Sequence, residues 1–294
     1  MDDPSATTMV TTSSGVHIVL NKEFSPPDTA LLIPETEDGR VLFLLPWQGK
    51  TLVGTTDNPA KIEENPKASE DDINYILRHV DKYFSIPVTR KDVKSAWSGL
   101  RPLVSDPNAA DTAKLSRDHI INVSDSGLLT IAGGKWTTYR KMAEDVVDHA
   151  EEIAKLGKKD AITETLILAG GKDFSPENSG KLQEKYGFDF DIASHLNYSY
   201  GDRATMVADI AADGYAKRLR KNFPYLEAEV VYGARYESAR NSQDILCRRT
   251  RLSFLSTRAA LKALPKVNSI LAKELNWSDE KAARDLSESE NYLK

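Results

Sequence analysis

The sequence predicts an α+β chain: an antiparallel, β-rich part over residues 14–156, then an all-helical part over residues 157–294. Three observations carry this. Short apolar and β-branched runs fill the first 55 residues and are separated by turn signals, of which Asp38-Gly39 is a strong hairpin marker. Beyond Leu156-Gly157-Lys158-Lys159-Asp160 the strand-like alternation gives way to apolar residues at helical spacing. The chain has 294 residues, 40% hydrophobic and 28% charged, which is enough for two cores.

Taken in order, residues 1–13 are polar and Ser/Thr-rich and read as a disordered N-terminal segment. Val16–Leu20 is a β-branched strand around His17. Ala30–Ile33 and Val41–Leu45 flank the Asp38-Gly39 turn, and Thr51–Thr55 follows a second turn at Gln48-Gly49-Lys50, which together predict a meander. Ser69 is a good helix N-cap, with Asp71 and Asp72 where negative charge suits the dipole. Ile73, Ile76, Leu77, Val80 and Phe84 then share one helical face. A strand over Val93–Leu100 follows, then a hairpin of His119–Val123 and Leu128–Ala132 joined by Asp125-Ser126-Gly127. A helix is expected over Trp136–Ala154, and further helices over 175–186, 189–198, 203–213, 225–238, 241–256, 259–274 and 278–292. Between them stands one short apolar run, Thr165–Leu168.

The composition excludes several classes. A formal charge of −5 argues against a general nucleic-acid binder. No apolar run approaches the roughly 18 residues of a membrane span. The single cysteine, Cys247, excludes an intrachain disulfide framework and a cysteine-rich zinc site, reads as buried, and suits an intracellular chain. No histidine or cysteine spacing resembles a metal site, and Met1-Asp2-Asp3-Pro4-Ser5 resembles neither a secretory signal nor a transit peptide.

Candidate chemistry gathers in two segments. In Ser95-Ala96-Trp97-Ser98-Gly99-Leu100-Arg101-Pro102-Leu103, the proline holds Arg101 out of the helical region. In Gly133-Gly134-Lys135-Trp136-Thr137-Thr138, two glycines permit close approach to the backbone, and the helix that follows offers free N–H groups and a positive dipole end. Together these segments suit an anionic ligand. The plainer alternatives are a surface ion pair for Arg101 and a tight turn with Lys135 in solvent. Arg117 is either a further cation or a salt-bridge partner of Asp118. His17 is either a base working near neutral pH or a satisfied core histidine. Gly54-Thr55-Thr56-Asp57 either contacts a ligand or is a turn held by its own side chains. His79, His149 and His195 read as structural or solvent-facing, and nothing singles out His119. Arg248-Arg249-Thr250-Arg251 and Lys217-Arg218-Leu219-Arg220-Lys221 read as solvated faces or internal ion pairs.

From about Ser13 to the C-terminus the chain resembles the FAD-dependent glycerol-3-phosphate dehydrogenases of the mitochondrial type. The resemblance is carried by Ser14-Gly15-Val16-His17-Ile18-Val19, Asp38-Gly39-Arg40-Val41 with Leu45-Pro46-Trp47, Gly54-Thr55-Thr56-Asp57, the Trp97 and Gly133 segments, Pro224-Tyr225-Leu226-Glu227-Ala228-Glu229-Val230, Arg248-Arg249-Thr250-Arg251 and Glu274-Leu275-Asn276-Trp277. It implies oxidation of glycerol 3-phosphate to dihydroxyacetone phosphate, with electrons passing through FAD to a quinone. It implies His17 as the catalytic base, Arg101 as the cation at the reacting hydroxyl, and Arg117 and Lys135 as phosphate-binding residues. Gly133, Gly134, Lys135, Trp136, Thr137 and Thr138 would contact the cofactor. The fold implied is the substrate-binding part of an FAD-dependent oxidoreductase followed by the family's helical C-terminal domain. The implied setting is peripheral, at the mitochondrial inner membrane, with a homodimer and no nucleic acid. A glycerol-3-phosphate oxidase and a non-catalytic interaction module derived from the enzyme are the other readings. No two glycines are spaced G-x-G, so the turn that opens a dinucleotide-binding domain is not found. The expectation is therefore a fragment whose N-terminal FAD-binding half is missing.

Overall fold

The computed structural model describes residues 2, 8–26, 28–104 and 118–294. Its organising element is β1 (Val10–Asn21), a central strand whose Val16, Ile18 and Leu20 are fully buried. Period-two alternation puts these three on one face, and that face is covered by α1 (Glu70–Asp81) through Ile73, Ile76 and Val80. The helix starts where the sequence places it: the Ser69 hydroxyl accepts the Asp72 N–H at 3.1 Å.

Five further strands complete this sheet: β2 (Leu31–Ile33), β3 (Leu42–Trp47), β4 (Lys50–Gly54), β5 (Asn58–Pro59) and β6 (Ser95–Val104). The predicted meander holds for β2, β3 and β4, but β1 joins it next to β4 rather than next to β2. β6 pairs antiparallel with β1 over Val10–Val19, while β4 and β5 take other stretches of β1. Residues 10–13, expected in a disordered segment, therefore belong to β1. Long-range pairing with Leu103 and Val104 orders a stretch that has no apolar pattern of its own.

A separate hairpin, β7 (His119–Val123) and β8 (Leu129–Gly133), leads through a 3-10 turn at Trp136–Thr138 into α2 (Tyr139–Ala154). No residue of α2 is buried. The helical part follows: α3 (Asn178–Tyr186), α4 (Phe190–Tyr200), α5 (Ala204–Ile210), α6 (Glu227–Tyr236), α7 (Leu252–Leu255), α8 (Thr257–Glu274) and α9 (Asp279–Leu293). It has its own core, in which Leu196, Val207, Val231, Ile245 and Leu271 are fully buried. The buried Glu229 carboxylate is well satisfied within it. It accepts the Leu226 N–H at 2.7 Å and the Tyr200 hydroxyl at 2.8 Å, and it pairs with His195 Nε2 at 2.7 Å.

Two predicted helices are broken. Residues 241–256 form a wide turn at Asp244–Arg249, where the Thr250 N–H and hydroxyl both return to the Ile245 carbonyl; Arg251 at φ +56° then separates it from α7. Residues 203–213 end in a similar wide turn, which closes at Gly214 with φ +106°. The run Thr165–Leu168 forms no strand, and Leu166, Ile167 and Leu168 are all exposed.

The two parts meet along β6. The Thr257 N–H donates to the Lys94 carbonyl at 3.2 Å, the Ser95 hydroxyl donates to the Phe254 carbonyl, and the Tyr225 hydroxyl donates to Gln48 at 3.0 Å. Residues 155–169 are exposed and lie in no helix or strand. Limited proteolysis is expected to cut first there and to release a helical fragment that resists further digestion. First cuts scattered through 178–293 would refute a separately folded helical part.

Candidate functional site

The alternation that gives β1 its apolar face gives it a second face with a different composition. Ser13, Gly15 and His17 stand opposite Arg101, Gly99 and Trp97 of β6, and His17 also stands opposite Gly54 of β4. Directly paired residues share a face, so these groups all project away from α1. The first site is built there.

Two glycines make room for it. A methyl group at Gly15 would lie within 2.7 Å of the Arg101 guanidinium carbon, and one at Gly54 would lie within 2.8 Å of His17 Cγ. Each glycine is needed for space rather than for an unusual φ, as expected where a side chain lies flat on a strand. The His17 ring also stacks on Trp97, with centroids 5.7 Å apart and planes 12° apart.

The Gly54–Asp57 segment fixes Arg101. Its Nη1 donates to Asp57 at 3.2 Å; its Nη2 donates to the Thr55 hydroxyl at 3.0 Å and to the Thr56 carbonyl at 3.2 Å. The segment is itself pinned to β1, because the Thr56 hydroxyl accepts the Val16 N–H at 3.0 Å and the Thr56 N–H returns to the Val16 carbonyl at 3.4 Å. The two readings of Gly54-Thr55-Thr56-Asp57 are thus one arrangement: side-chain hydrogen bonds shape the turn, and the turn orients a cation. Burial, and secondarily the positive charge of Arg101, push the His17 pKa below its ordinary 6.5. The imidazole is therefore neutral at pH 7 and able to accept a proton.

The second cluster is the turn after β8. Gly133 and Gly134 have φ of +80° and +74°. A methyl at Gly133 would strike the Val104 side chain and come within 2.9 Å of the Asp118 carbonyl, and one at Gly134 would lie within 2.8 Å of Met142 Cε. The Lys135 N–H donates to the Thr138 hydroxyl at 3.3 Å, and the Thr138 N–H returns to the Lys135 carbonyl at 3.0 Å. Lys135, Trp136, Thr137 and Thr138 are exposed, and Trp136, 86% accessible, stacks on Tyr139.

The structure thus brings His17 and Arg101 together and places Gly133–Thr138 on a separate hairpin, joined to β6 where Val104 packs on Gly133. Arg117 lies outside the described residues. Gly15 and Gly54 as makers of space, Asp57 as partner of Arg101 and Trp97 as partner of His17 escaped the sequence reading. The available signal was a glycine inside an otherwise strand-like run. Elsewhere, His79 is buried, His195 serves Glu229, and His119 Nε2 lies 3.2 Å from Asp145 of α2. Arg218 pairs with Asp189 and Asp191, and Arg248 pairs with Asp244. Among the described residues no His, Cys, Asp and Glu group is arranged to hold a metal, and no helix is long and apolar enough to cross a membrane.

Comparison with known proteins places this geometry. The model of the FAD dependent oxidoreductase family matches residues 1–140, and the model of the C-terminal domain of alpha-glycerophosphate oxidase matches residues 161–282. Along its whole length the chain is 46% identical to the mitochondrial glycerol-3-phosphate dehydrogenases of Bos taurus and Homo sapiens, covering 41% of each. The chain therefore spans less than half the length of these curated relatives. A solved structure, the glycerol-3-phosphate dehydrogenase of Bacillus halodurans complexed with FAD, superposes with a TM-score of 0.82 at 32% identity, over 97% of this chain and 57% of that one.

One expectation is corrected here. The FAD-binding half was expected to be missing, yet the FAD dependent oxidoreductase match covers residues 1–140. The absence of a G-x-G-x-x-G turn was equated with the absence of the domain. The match instead runs through the β1–β6 sheet, the β7–β8 hairpin and the Gly133–Gly134 turn.

The two strand glycines give a direct test of the geometry. Gly54→Ala is expected to displace the His17 ring and Gly15→Ala the Arg101 guanidinium, each with a destabilisation of about 1–3 kcal/mol from overpacking. Urea unfolding together with the NMR shift of the His17 ring protons checks this. An unmoved His17 resonance in Gly54→Ala would contradict the close approach.

Proposed function

We propose that this chain supplies the substrate-handling part of an FAD-dependent glycerol-3-phosphate dehydrogenase. The observation that carries the reading is the pairing, on one sheet face, of a neutral, half-buried His17 with an oriented Arg101. Its whole-length similarity to glycerol-3-phosphate dehydrogenases supports the substrate.

In this reading His17 takes the proton of the substrate's secondary hydroxyl. Arg101 stabilises the negative charge that develops on that oxygen, and its positive charge then favours release of the proton from His17. Lys135 and Arg117 hold the phosphate, a dianion suited to a cationic pair. The residues of the Gly133–Thr138 turn fit a flavin: the two glycines let the backbone turn tightly against Val104 and Met142, the side chains that follow are exposed, and the positive dipole end of α2 lies there. Bound there, FAD supplies the hydride acceptor. Trp136, Thr137 and Thr138 would line its edge. A quinone is the proposed final acceptor, and the proposed setting is the surface of the mitochondrial inner membrane; the animal relatives' names say that those proteins are mitochondrial. A second reading, a glycerophosphate oxidase that passes electrons to oxygen, is favoured by the family description of residues 161–282. Oxygen uptake against reduction of a quinone analogue separates the two.

Two results test the site. In the FAD-loaded enzyme, kcat/KM for glycerol 3-phosphate is expected to fall on acidification, with a limb below pH 6.5 as His17 takes up a proton, and His17→Asn should cost about 10²–10⁴-fold in kcat. An acid limb unchanged in His17→Asn removes His17 as base. Losing a charge-assisted hydrogen bond costs about 1.5–3 kcal/mol, so Lys135→Ala should weaken the preference for glycerol 3-phosphate over glycerol by about one to two orders of magnitude. A preference equal to the parent's would make Lys135 a structural residue.

A further inference from the structure

Trp97 stands between the two parts of the molecule. One of its neighbours is the His17 ring, stacked at 5.7 Å; another is Phe254 of α7, whose centroid lies 4.6 Å from the indole at 57°. Trp47 of β3 is more distant, at 6.4 Å. α7 has only four residues; the Ser95 hydroxyl of β6 donates to its Phe254 carbonyl, and the N–H of Thr257, which opens α8, donates to the carbonyl of Lys94 just before β6. The same junction borders a cavity of about 470 Å³, lined in part by Trp97, Phe254, Cys247, Ser253 and Tyr292. The indole is therefore not enclosed on every side. Phe254 is the ring that limits its movement toward the open space.

We propose that Phe254 and Trp97 are positioning residues, a two-ring relay through which the helical part holds the His17 imidazole against Gly54 and beside Arg101. Neither ring is placed to touch reacting atoms, and both act through His17. The role deepens the proposed function and rests on His17 as the base. It also gives the helical part a catalytic use: the short helix α7 becomes the buttress of the site. Without Phe254, Trp97 gains freedom to turn into the cavity. His17 then loses its stacked cover and water reaches its ring.

The relay has a readout that needs no turnover. Burial is the larger cause of the low His17 pKa. Among the described residues, the charged groups facing His17 are Arg101 of β6 and, behind it, Asp57 of the β4–β5 segment, and these stay in place when Phe254 is removed. The titration of His17 therefore reports its cover. The experiment is an NMR pH titration of the histidine ring protons of the chain, with His17 assigned by His17→Asn, in the parent, Phe254→Ala and Phe254→Tyr. The expected result is a His17 pKa that rises toward 6.5 in Phe254→Ala, with loss of the ring-current shift from Trp97 and recovery of both in Phe254→Tyr. In the loaded enzyme, Phe254→Ala should lower kcat by about ten- to a hundredfold with little change in KM, as a misplaced base would. A folded Phe254→Ala chain whose His17 titrates and resonates as in the parent overturns the relay. Should Phe254→Ala not fold, Trp97→Phe carries the same reading: a pKa shifted in the same direction supports the relay, and an unchanged one overturns it. If the NMR response appears while His17→Asn keeps full activity, the relay stands and the role of His17 as base falls.

Discussion

The antiparallel pairing of β1 with β6 is the constraint on which the rest of the structure depends. Ten consecutive residue pairs, from Val10 with Val104 to Val19 with Ser95, fix which residues face α1 and which face away. The apolar set of Val16, Ile18 and Leu20 is fully buried, at about 1.5–3 kcal/mol for each such side chain. The polar and glycine set is thereby turned to the other face. Folding and site formation are consequences of one period-two pattern: burying Val16 and Ile18 leaves His17 pointing the opposite way.

The electrostatics of that face favour orientation over binding energy. The Arg101 side chain is 34% accessible and Asp57 is 56% accessible, so their ion pair is screened and contributes at most about 1 kcal/mol to stability. Its use is geometric. With Nη1 on Asp57 and Nη2 on Thr55 and the Thr56 carbonyl, the guanidinium plane is set without closing it off from solvent. His17 shows the opposite balance. Its burial disfavours the imidazolium, and the nearby cation adds to that, so a neutral ring is favoured at a position where water alone would allow either form.

Much of the fold was legible because its signals are local. Asp38-Gly39 marked the β2–β3 turn, Ser69 marked the start of α1, and the shift to helical spacing after Leu156 marked the helical part. Two kinds of feature were not legible. Thr11, Thr12, Ser13 and Ser14 carry no strand pattern and are strand only because β6 pairs with them. The break at Arg251 depends on Thr250 reaching back to the Ile245 carbonyl, a choice between near-equal hydrogen bonds that residue type does not decide. At the site, Arg101 and His17 were visible as residue types, whereas the space reserved for them was not. Gly15 and Gly54 look like weak points of strands until the side chains lying on them are known. The dinucleotide-binding turn misled in the other direction, since one absent glycine pattern was given the weight of a whole domain.

β6 also acts as the ruler between the two half-sites. Arg101 lies on it, and three residues later the buried Val104 packs on Gly133, two residues before Lys135. At about 3.3 Å per residue this is a short, stiff connection, and the odd spacing puts Val104 on the sheet face opposite to Arg101. A slip of β6 by one residue would turn Arg101 to the α1 face, away from His17, and would turn the fully buried Val104 off that face. Exposing a buried valine costs about 1.5–3 kcal/mol, more than the screened Asp57 pair contributes. The alternative register is thus excluded by the same hydrophobic burial that holds the sheet together. The relative placement of the proposed base, hydroxyl cation and phosphate cation is inherited from that exclusion, and so the precision of the site needs no dedicated strong interaction within it.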